Sequence, residues 1–373
     1  MSRPDPATLA PADAAPSARP ATLAAAAIGH DNNLNLLRVL AALMVLASHS
    51  VTLSTGLPEL EPGRRMLGLS LGDIAVDIFF VISGFLVTGS LARSNSLRKY
   101  TAARGLRIVP GLWVALVATT AIVCIGFSTY PALQNLMDWR TWRYLGRNAV
   151  IVTGADFWLP GAFTGNPFPA NVNASLWTLP LEVWMYIGLA GEWWLTRRLF
   201  KDSAERLFTR LLFATAFALT VAALLLALLG HPSNSTRHAA VFFVAASMYQ
   251  ARARIPLRAA AAGLAFAAIA AGALWSHGAF EVAYRLLLPY VVLWLAYVPA
   301  GALRLYNRIG DFSYGIYIYA FPFQQMTAAL FHGIGVVPMF LVSGAMTTLA
   351  AVLSWHLVES PALKLRSRIV HRP

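Results

Sequence analysis

The residues most able to do chemistry lie in the first long apolar stretch of the chain, LNLLRVLAALMVLASHSV, which contains Arg38 and His49. An ionisable residue inside a membrane span is costly and usually functional. On an α-helix, eleven residues make three turns plus roughly 20°, so the two side chains share one face about 16 Å apart along the axis. A cation near one membrane surface and an imidazole nearer the other suit chemistry across a bilayer.

A bundle of membrane-spanning helices must position these residues, and the composition indicates one. The chain has 373 residues, of which 58% are hydrophobic and 12% are charged. A soluble protein carries about twice that share of charge. Repeated apolar runs of about twenty residues predict an all-α, polytopic protein in the lipid bilayer. We expect one transmembrane domain over 31–365, a disordered cytoplasmic tail over 1–30 and a basic cytoplasmic tail over 366–373.

Ten apolar segments predict ten transmembrane helices. Their connections alternate between basic ones, such as 93–107 and 197–210, and ones of mixed charge, such as 59–65 and 138–156. The positive-inside rule therefore predicts that both termini are cytoplasmic. It also explains the net charge of +13 by topology, so we expect no nucleic-acid partner. The predicted spans are 34–53, 71–92, 108–127, 175–195, 211–230, 238–251, 258–276, 282–300, 312–332 and 337–357.

Three titratable residues fall at similar depth in this arrangement. His49 is close to the outer end of the first span, and Asp77 and Glu182 are a few residues into the second and the fourth spans, which both enter from outside. At about 1.5 Å per residue, all three lie within roughly 10 Å of the outer surface. A histidine beside a carboxylate is typical of a general base and its orienting partner, so we predict these three as catalytic residues. The alternative is a hydrogen-bonded network that only holds helices together.

Two arginines, Arg104 and Arg107, begin the third span on its cytoplasmic side in the sequence RGLRIVP. Residues three apart share a helix face, and paired guanidinium groups suit a phosphate ligand. The alternative is ordinary positive-inside charge. No histidine, cysteine or carboxylate spacing typical of metal ligands is present in the sequence, so we expect no metal.

The longest outer segment, 128–174, is predicted to contain two parts. WRTWRYLGR suits a helix lying flat on the membrane, because its aromatic and basic side chains favour the interface. DFWLPGAFTGNPFPANVNAS suits an ordered lid or a carbohydrate-facing loop, and an irregular connector is an equal alternative.

Six motifs, taken in chain order, resemble those of the bacterial acyltransferase-3 family of integral membrane O-acyltransferases, and they extend over nearly all of 34–365. One position departs from the family pattern: the fifth motif often has a histidine where this chain has Ala320. We therefore assign the role of base to His49 alone. The motifs are LRVLAALMVLASHS with Arg38 and His49, AVDIFFVISGFLVTG with Asp77, RGLRIVPGLW with Arg104 and Arg107, SLWTLPLEVWMY with Trp177, Glu182 and Tyr186, DFSYGIYIYAFP with Tyr314 and Tyr317, and SWHLVESP with Glu359.

The resemblance implies transfer of an acyl group, usually acetyl, from cytoplasmic acyl-CoA to a hydroxyl of an envelope or exported saccharide, or of a glycolipid precursor. It implies a bacterial inner-membrane protein with acetyl-CoA as donor. Arg38, Arg104 and Arg107 would hold the CoA phosphates, and His49 would take the hydroxyl proton, directly or through an acyl intermediate. The motifs' aromatic residues are expected to bind substrate; they are Trp177, Tyr186, Tyr314 and Tyr317. A transporter or flippase for a polysaccharide precursor is the competing class, although the two halves of the sequence show no repeat.

Overall fold

Helices occupy all ten segments that the sequence assigns to membrane spans. The computed structural model describes residues 22–29 and 31–370, without the side chains of 366–370, and this part of the chain is all-α, with no β-strand. Short 3₁₀ segments cover Pro58–Leu60, Ala174–Trp177 and Gly301–Arg308, and a π-helical turn covers Trp355–Glu359. The α-helices are α1 (Leu23–Ala26), α2 (Leu34–Thr55), α3 (Arg64–Leu67), α4 (Leu71–Ser94), α5 (Leu97–Gly126), α6 (Ala132–Met137), α7 (Trp139–Val150), α8 (Thr178–Leu199), α9 (Ala204–Leu228), α10 (Asn234–Ala251), α11 (Ala259–Trp275), α12 (His277–Tyr297), α13 (Ser313–Leu330), α14 (Val336–Ser354) and α15 (Ser360–Val370).

Six helical stretches in the described part of the chain are long and apolar enough to cross a membrane. The helices α8, α10, α11 and α13 fill the other four predicted spans but do not meet both criteria, so the count of ten spans stays a prediction. The six stretches are Leu34–Thr55, Leu71–Ser94, Leu97–Gly126, Ala204–Leu228, His277–Tyr297 and Val336–Leu365.

Local sequence signals fix the ends of α4 and α5, which carry Asp77, Arg104 and Arg107. A capping box starts α4, in which the Ser70 hydroxyl accepts from the Asp73 backbone N–H and the Asp73 carboxylate accepts from the Ser70 backbone N–H. The helix ends at Asn95, whose φ of 48° is left-handed. One residue later Ser96 caps α5, so the two helices form a tight hairpin.

Small residues allow the central helices to approach closely. A Cβ built on Gly84 of α4 would lie 2.1 Å from the backbone oxygen of Phe242 in α10. One built on Gly315 of α13 would lie 2.8 Å from the Cα of Ala351 in α14. Such close backbone contact is how membrane helices gain packing energy, because burial from lipid offers little hydrophobic drive. Helix α4 is thereby held between α2 and α10, with most of its side chains buried.

The outer segment is built into the bundle. Helix α7 is amphipathic and packs its buried Tyr144 towards α5, while the Trp113 indole of α5 donates to the Ala149 carbonyl over 3.2 Å. The following segment reaches α13, where Asn166 donates to the Gln325 backbone carbonyl over 2.9 Å and Asn173 donates to the Ile318 carbonyl over 2.9 Å. The segment is therefore ordered against α13, as expected of an ordered lid rather than of an irregular connector, and α8 starts among buried residues.

Residues 22–29 are ordered, although composition assigns 1–30 to a disordered tail. The backbone N–H of Leu23 donates to the Ile255 carbonyl over 2.9 Å, and the N–H of Ala24 donates to the Arg252 carbonyl over 3.0 Å. The Leu23 side chain is fully buried. The rest of the predicted N-terminal tail lies outside the described residues. At the other end, the backbone of α15 is helical through Val370, within the predicted basic tail, and 371–373 lie outside the description.

Candidate active site

Seven of the ten predicted site residues line one cavity of about 110 Å³. It lies between α2, α4, α5, α8 and α13, and we call it the inner cavity. Arginines form one wall, and Phe79, Phe80 and Val76 of α4 form another. Sequence motifs that are far apart in the chain therefore meet at one place. The seven predicted residues are Arg38, Arg104, Arg107, Glu182, Tyr186, Tyr314 and Tyr317.

A single carboxylate organises the arginine wall. Asp311, in the turn before α13, accepts with its Oδ2 from Arg38 over 3.1 Å and from Arg107 over 2.6 Å. Its Oδ1 accepts from the Ser313 hydroxyl over 2.5 Å. Burial raises the pKa of Asp311, but the two guanidinium charges and the Ser313 hydrogen bonds outweigh burial, so its pKa lies below the usual range. Two positive charges thus share one negative charge, and the wall keeps a net positive charge.

Glu182 faces this wall and lies away from His49. The Ser83 hydroxyl of α4 donates to Glu182 Oε1 over 3.1 Å and lies 2.9 Å from the Tyr186 hydroxyl oxygen, which also donates to Glu182. The Arg104 guanidinium lies over the Tyr186 ring, 5.9 Å from its centroid. The expected depth of Glu182 assumed that α8 begins at the outer surface. Because α8 begins inside the bundle, Glu182 instead joins the arginines of α5.

A larger space opens on the other side of the arginines. This vestibule has a volume of about 1060 Å³ and shares Arg38, Arg104 and Arg107 with the inner cavity. Arg93 and Arg252 also line it. Among the residues that the structure describes, no carboxylate forms an ion pair with Arg93, Arg104 or Arg252. The vestibule is therefore suited to an anion, and the shared arginines join it to the inner cavity.

His49 lines neither space. Its ring contacts Phe321 of α13 edge-on at a centroid distance of 5.3 Å, and its Nδ1 is buried without a described hydrogen-bond partner. The nearest organised carboxylate is Glu61, which accepts from Ser48 over 2.8 Å and from Thr52 over 2.5 Å. Burial raises the pKa of Glu61, but these hydrogen bonds and the His49 imidazole outweigh burial and hold its pKa below the usual range.

His49 and the inner cavity contact neighbouring turns of α13. Phe79 and Tyr317 close the cavity with an edge-on ring contact at 5.8 Å between centroids. Tyr317 precedes Phe321, the contact of His49, by four residues on α13, so the two aromatic side chains follow each other along one helix face. The contact of His49 and the wall of the cavity are therefore neighbours along α13.

Asp77 is held by residues that the sequence analysis did not consider. Its carboxylate lies 2.7 Å from Nδ1 of His238, and it accepts from Arg237 over 3.1 Å and from the Tyr284 hydroxyl over 2.9 Å. The expected direct pairing of Asp77 with His49 is absent from the described hydrogen bonds. No spacing in the sequence could have found His238, because it lies on α10, 161 positions after Asp77. Trp177 also meets His238, with 5.4 Å between ring centroids.

These features define a helical membrane protein with an internal, arginine-lined cavity, which shares its arginines with a larger basic vestibule. The profile of the acyltransferase-3 family, described as an acyltransferase domain, matches residues 31–356. The chain therefore belongs to the acyltransferase-3 family.

Three relatives agree in length and in kind. An O-acetyl transferase of Shigella phage Sf6 is 29% identical over 88% of this chain and 95% of its own. Nodulation protein 10 of Rhizobium leguminosarum bv. viciae is 28% identical over 92% of this chain and 96% of its own. An exopolysaccharide production protein of Rhizobium meliloti is 26% identical over 79% of this chain and 90% of its own. No solved structure matches significantly.

The chain is thus an O-acyltransferase, which decides between the enzyme and the transporter that the residues alone left open. Within the described residues, no group of three or more histidine, cysteine, aspartate or glutamate side chains is placed to hold a metal ion. The absence of a metal remains a prediction.

Proposed function

We propose that this O-acyltransferase moves an acyl group, acetyl in the simplest case, from cytoplasmic acyl-CoA to a hydroxyl of a cell-envelope or exported saccharide. The observation that carries the proposal is the continuity of the vestibule with the inner cavity through Arg38, Arg104 and Arg107. Guanidinium groups bind phosphate with charge-assisted hydrogen bonds, and CoA is an anion with phosphates at one end and a thioester at the other. The vestibule would take the phosphates, and the inner cavity would take the thioester end.

His49 is the proposed base for the acceptor hydroxyl. It carries a buried Nδ1 with no described partner, and its ring contacts Phe321, four residues after Tyr317 of the cavity wall. A displaced Phe79–Tyr317 pair would let the acyl carbon meet the hydroxyl there. The proton passes from the hydroxyl to the imidazole as the oxygen attacks the acyl carbon. In this scheme Glu182 orders Ser83 and Tyr186 at the donor end of the cavity.

A saccharide acceptor in a bacterial inner membrane fits the relatives, one of which is named for exopolysaccharide production. Trp177 lies at the start of α8, and its ring offers a face on which a sugar can stack. Tyr186, Tyr314 and Tyr317 line the inner cavity and contact the donor rather than the sugar in this scheme.

The proposed direction of transfer requires ten spans with both termini inside, which reporter fusions can check. The basic loops should give cytoplasmic signals and the mixed loops should give external ones, because translocation of arginine-rich loops is unfavourable. A cytoplasmic signal from the first loop together with an external one after Arg98 would reverse the orientation and remove the cytoplasmic donor. External signals are expected after Arg65, Asn166 and Pro232, and cytoplasmic ones after Arg98, Lys201 and Arg254.

Arg104→Ala and Arg107→Ala should each weaken binding of acetyl-CoA to the purified protein. Each charge-assisted contact is worth about 1.5–3 kcal/mol, which corresponds to a rise in Kd of roughly tenfold to a hundredfold. Calorimetry or a filter-binding assay in detergent measures it. Arg98→Ala is the matched control, because Arg98 is on the same helix but is exposed and lines neither space. Equal affinity in all three variants would show that the arginines only set topology.

Activity itself is measured with inside-out membrane vesicles and acetyl-CoA that is radiolabelled in the acetyl group. The expected result is label in the saccharide fraction, which mild base releases because the product is an ester. Vesicles without the protein give the background. Label supplied as acetyl-CoA to sealed right-side-out vesicles should not be transferred, and transfer only from that side would contradict the proposed donor face.

A further inference from the structure

The proposed reaction leaves one prepared imidazole unused. His238 is fully buried on α10, and its Nδ1 lies 2.7 Å from Oδ1 of Asp77. Its other nitrogen, Nε2, is buried without any hydrogen-bond partner among the described residues. A buried imidazole usually satisfies both nitrogens, so a free Nε2 calls for an explanation. A carboxylate on Nδ1 fixes the tautomer that presents the lone pair of Nε2, as in known nucleophile and base assemblies.

His238 lies directly behind the wall of the inner cavity. Its ring stacks on Phe80 at a centroid distance of 4.9 Å, and Phe80 lines the cavity. On another side it meets Trp177, the predicted sugar-binding residue, at 5.4 Å. Rotation of the Phe80 side chain away from this stack would open the inner cavity towards the His238 ring. His238 was not singled out from the sequence.

The charged groups around His238 favour a positively charged adduct. Asp77 faces it from α4, and the Tyr284 hydroxyl of α12 donates to Asp77. Arg237, the neighbour of His238 on α10, bonds both Asp77 and Asp73 of α4, over 3.1 and 3.2 Å. Asp73 also pairs with Arg64 over 3.3 Å, and Arg64 pairs with Glu61 over 3.4 Å. Along this chain of ion pairs three carboxylates face two guanidinium groups, which leaves one negative charge to balance an imidazolium.

We propose that His238 is the nucleophile that carries the acyl group between donor and acceptor, with Asp77 as its positioning residue. The inference rests on acyl-CoA being the donor. Nε2 attacks the thioester carbonyl, the carbon–sulfur bond breaks, and CoA leaves as the thiolate, which takes a proton from water. The acyl-imidazolium keeps its proton on Nδ1, where it is hydrogen-bonded to Asp77. The acceptor hydroxyl then loses its proton to His49 and attacks the acyl carbon, and the carbon–nitrogen bond breaks to restore neutral His238.

An acyl carrier predicts exchange without any acceptor. Purified protein in detergent, given acetyl-CoA and radiolabelled CoA, should move label into acetyl-CoA, because the first step runs backwards. His238→Asn should lower the exchange rate by roughly a hundredfold or more, as expected for loss of a nucleophile. Asparagine can still donate to Asp77 from the position of Nδ1, but it has no counterpart of Nε2. His49→Gln should retain exchange, because His49 acts only in the second step.

Exposed His332 provides the matched control, and His332→Asn should exchange like the parent. Exchange in His238→Asn at the parental rate would leave His238 a structural residue and overturn the proposal. If His238→Asn does not fold, the parent decides: without any acceptor it should exchange radiolabelled CoA into acetyl-CoA, and with acceptor its initial rates should follow ping-pong kinetics. A parent that labels saccharide but does not exchange refutes the acyl carrier alone. A parent that also fails to bind acetyl-CoA refutes the proposed donor.

Discussion

His49→Gln should reduce acyl transfer to saccharide by about 10²–10⁴-fold while leaving the protein folded and inserted. A general base contributes a rate factor of that size, and glutamine cannot accept a proton near neutral pH. Glutamine does keep a polar group that can form hydrogen bonds in the same surroundings, near Phe321 and Glu61. A histidine that only filled this space would therefore tolerate the change in large part. Transfer of radiolabelled acetyl to the saccharide fraction of inside-out vesicles measures the effect.

Two further measurements make this experiment decisive. The melting temperature in detergent should be close to that of the parent, because no described residue forms a hydrogen bond with His49 Nδ1 that the change would break. His332→Gln, at an exposed position, controls for the substitution itself and should leave transfer unchanged. Transfer within a few-fold of the parent in His49→Gln would exclude His49 as the base, and the assignment of the outer end of the reaction would then pass to another residue.

The grouping of the arginines was predictable from sequence because these residues obey helix geometry. Arg104 and Arg107 are three residues apart, so any helix places them on one face. Arg38 stands near the start of an apolar run with the length of a helix, and the structure brings it to the same carboxylate as Arg107. Periodicity carries such information without knowledge of the fold.

The other end could not be predicted, for two physical reasons. Depth was counted from the assumed outer end of each helix, but α8 begins inside the bundle because the preceding segment bonds to α13, through Asn173 for example. Counting residues from that assumed end therefore predicted Glu182 near the outer surface, whereas the structure places it beside the arginines. The partner of Asp77 depends on which helix packs against α4. Close contact at Gly84 brings α10 there, and with it His238. No local pattern records that contact.

Asp311→Asn should destabilise the protein strongly, by roughly 3–5 kcal/mol, because it removes the only carboxylate that forms ion pairs with Arg38 and Arg107 within the described residues. Arg38 and Arg107 then lose the carboxylate with which they form ion pairs. Asparagine is close in shape and can still accept from Ser313, so the loss reports the charge. Thermal unfolding in detergent measures it. Asp31→Asn is the matched control, since Asp31 pairs with Arg304 but its side chain is 75% exposed, and we expect a change of about 0–1 kcal/mol.

In the presence of acetyl-CoA, Asp311→Asn also tests whether the arginines bind phosphate in addition to forming ion pairs with Asp311. If the arginines bind phosphate, the ligand supplies the missing negative charge, so saturating acetyl-CoA should raise the melting temperature of Asp311→Asn more than that of the parent.

The stability of the parent should also depend on pH, through the ionisation of Asp311. The folded pKa of Asp311 lies below its unfolded value of about 3.9, so its contribution is complete above that pH and is lost as pH falls through the folded pKa. The parent should therefore lose stability on acidification below about pH 4, and Asp311→Asn should lack this component. Equal acid sensitivity, or equal stabilisation by acetyl-CoA in both proteins, would mean that Asp311 does not set the charge of this wall.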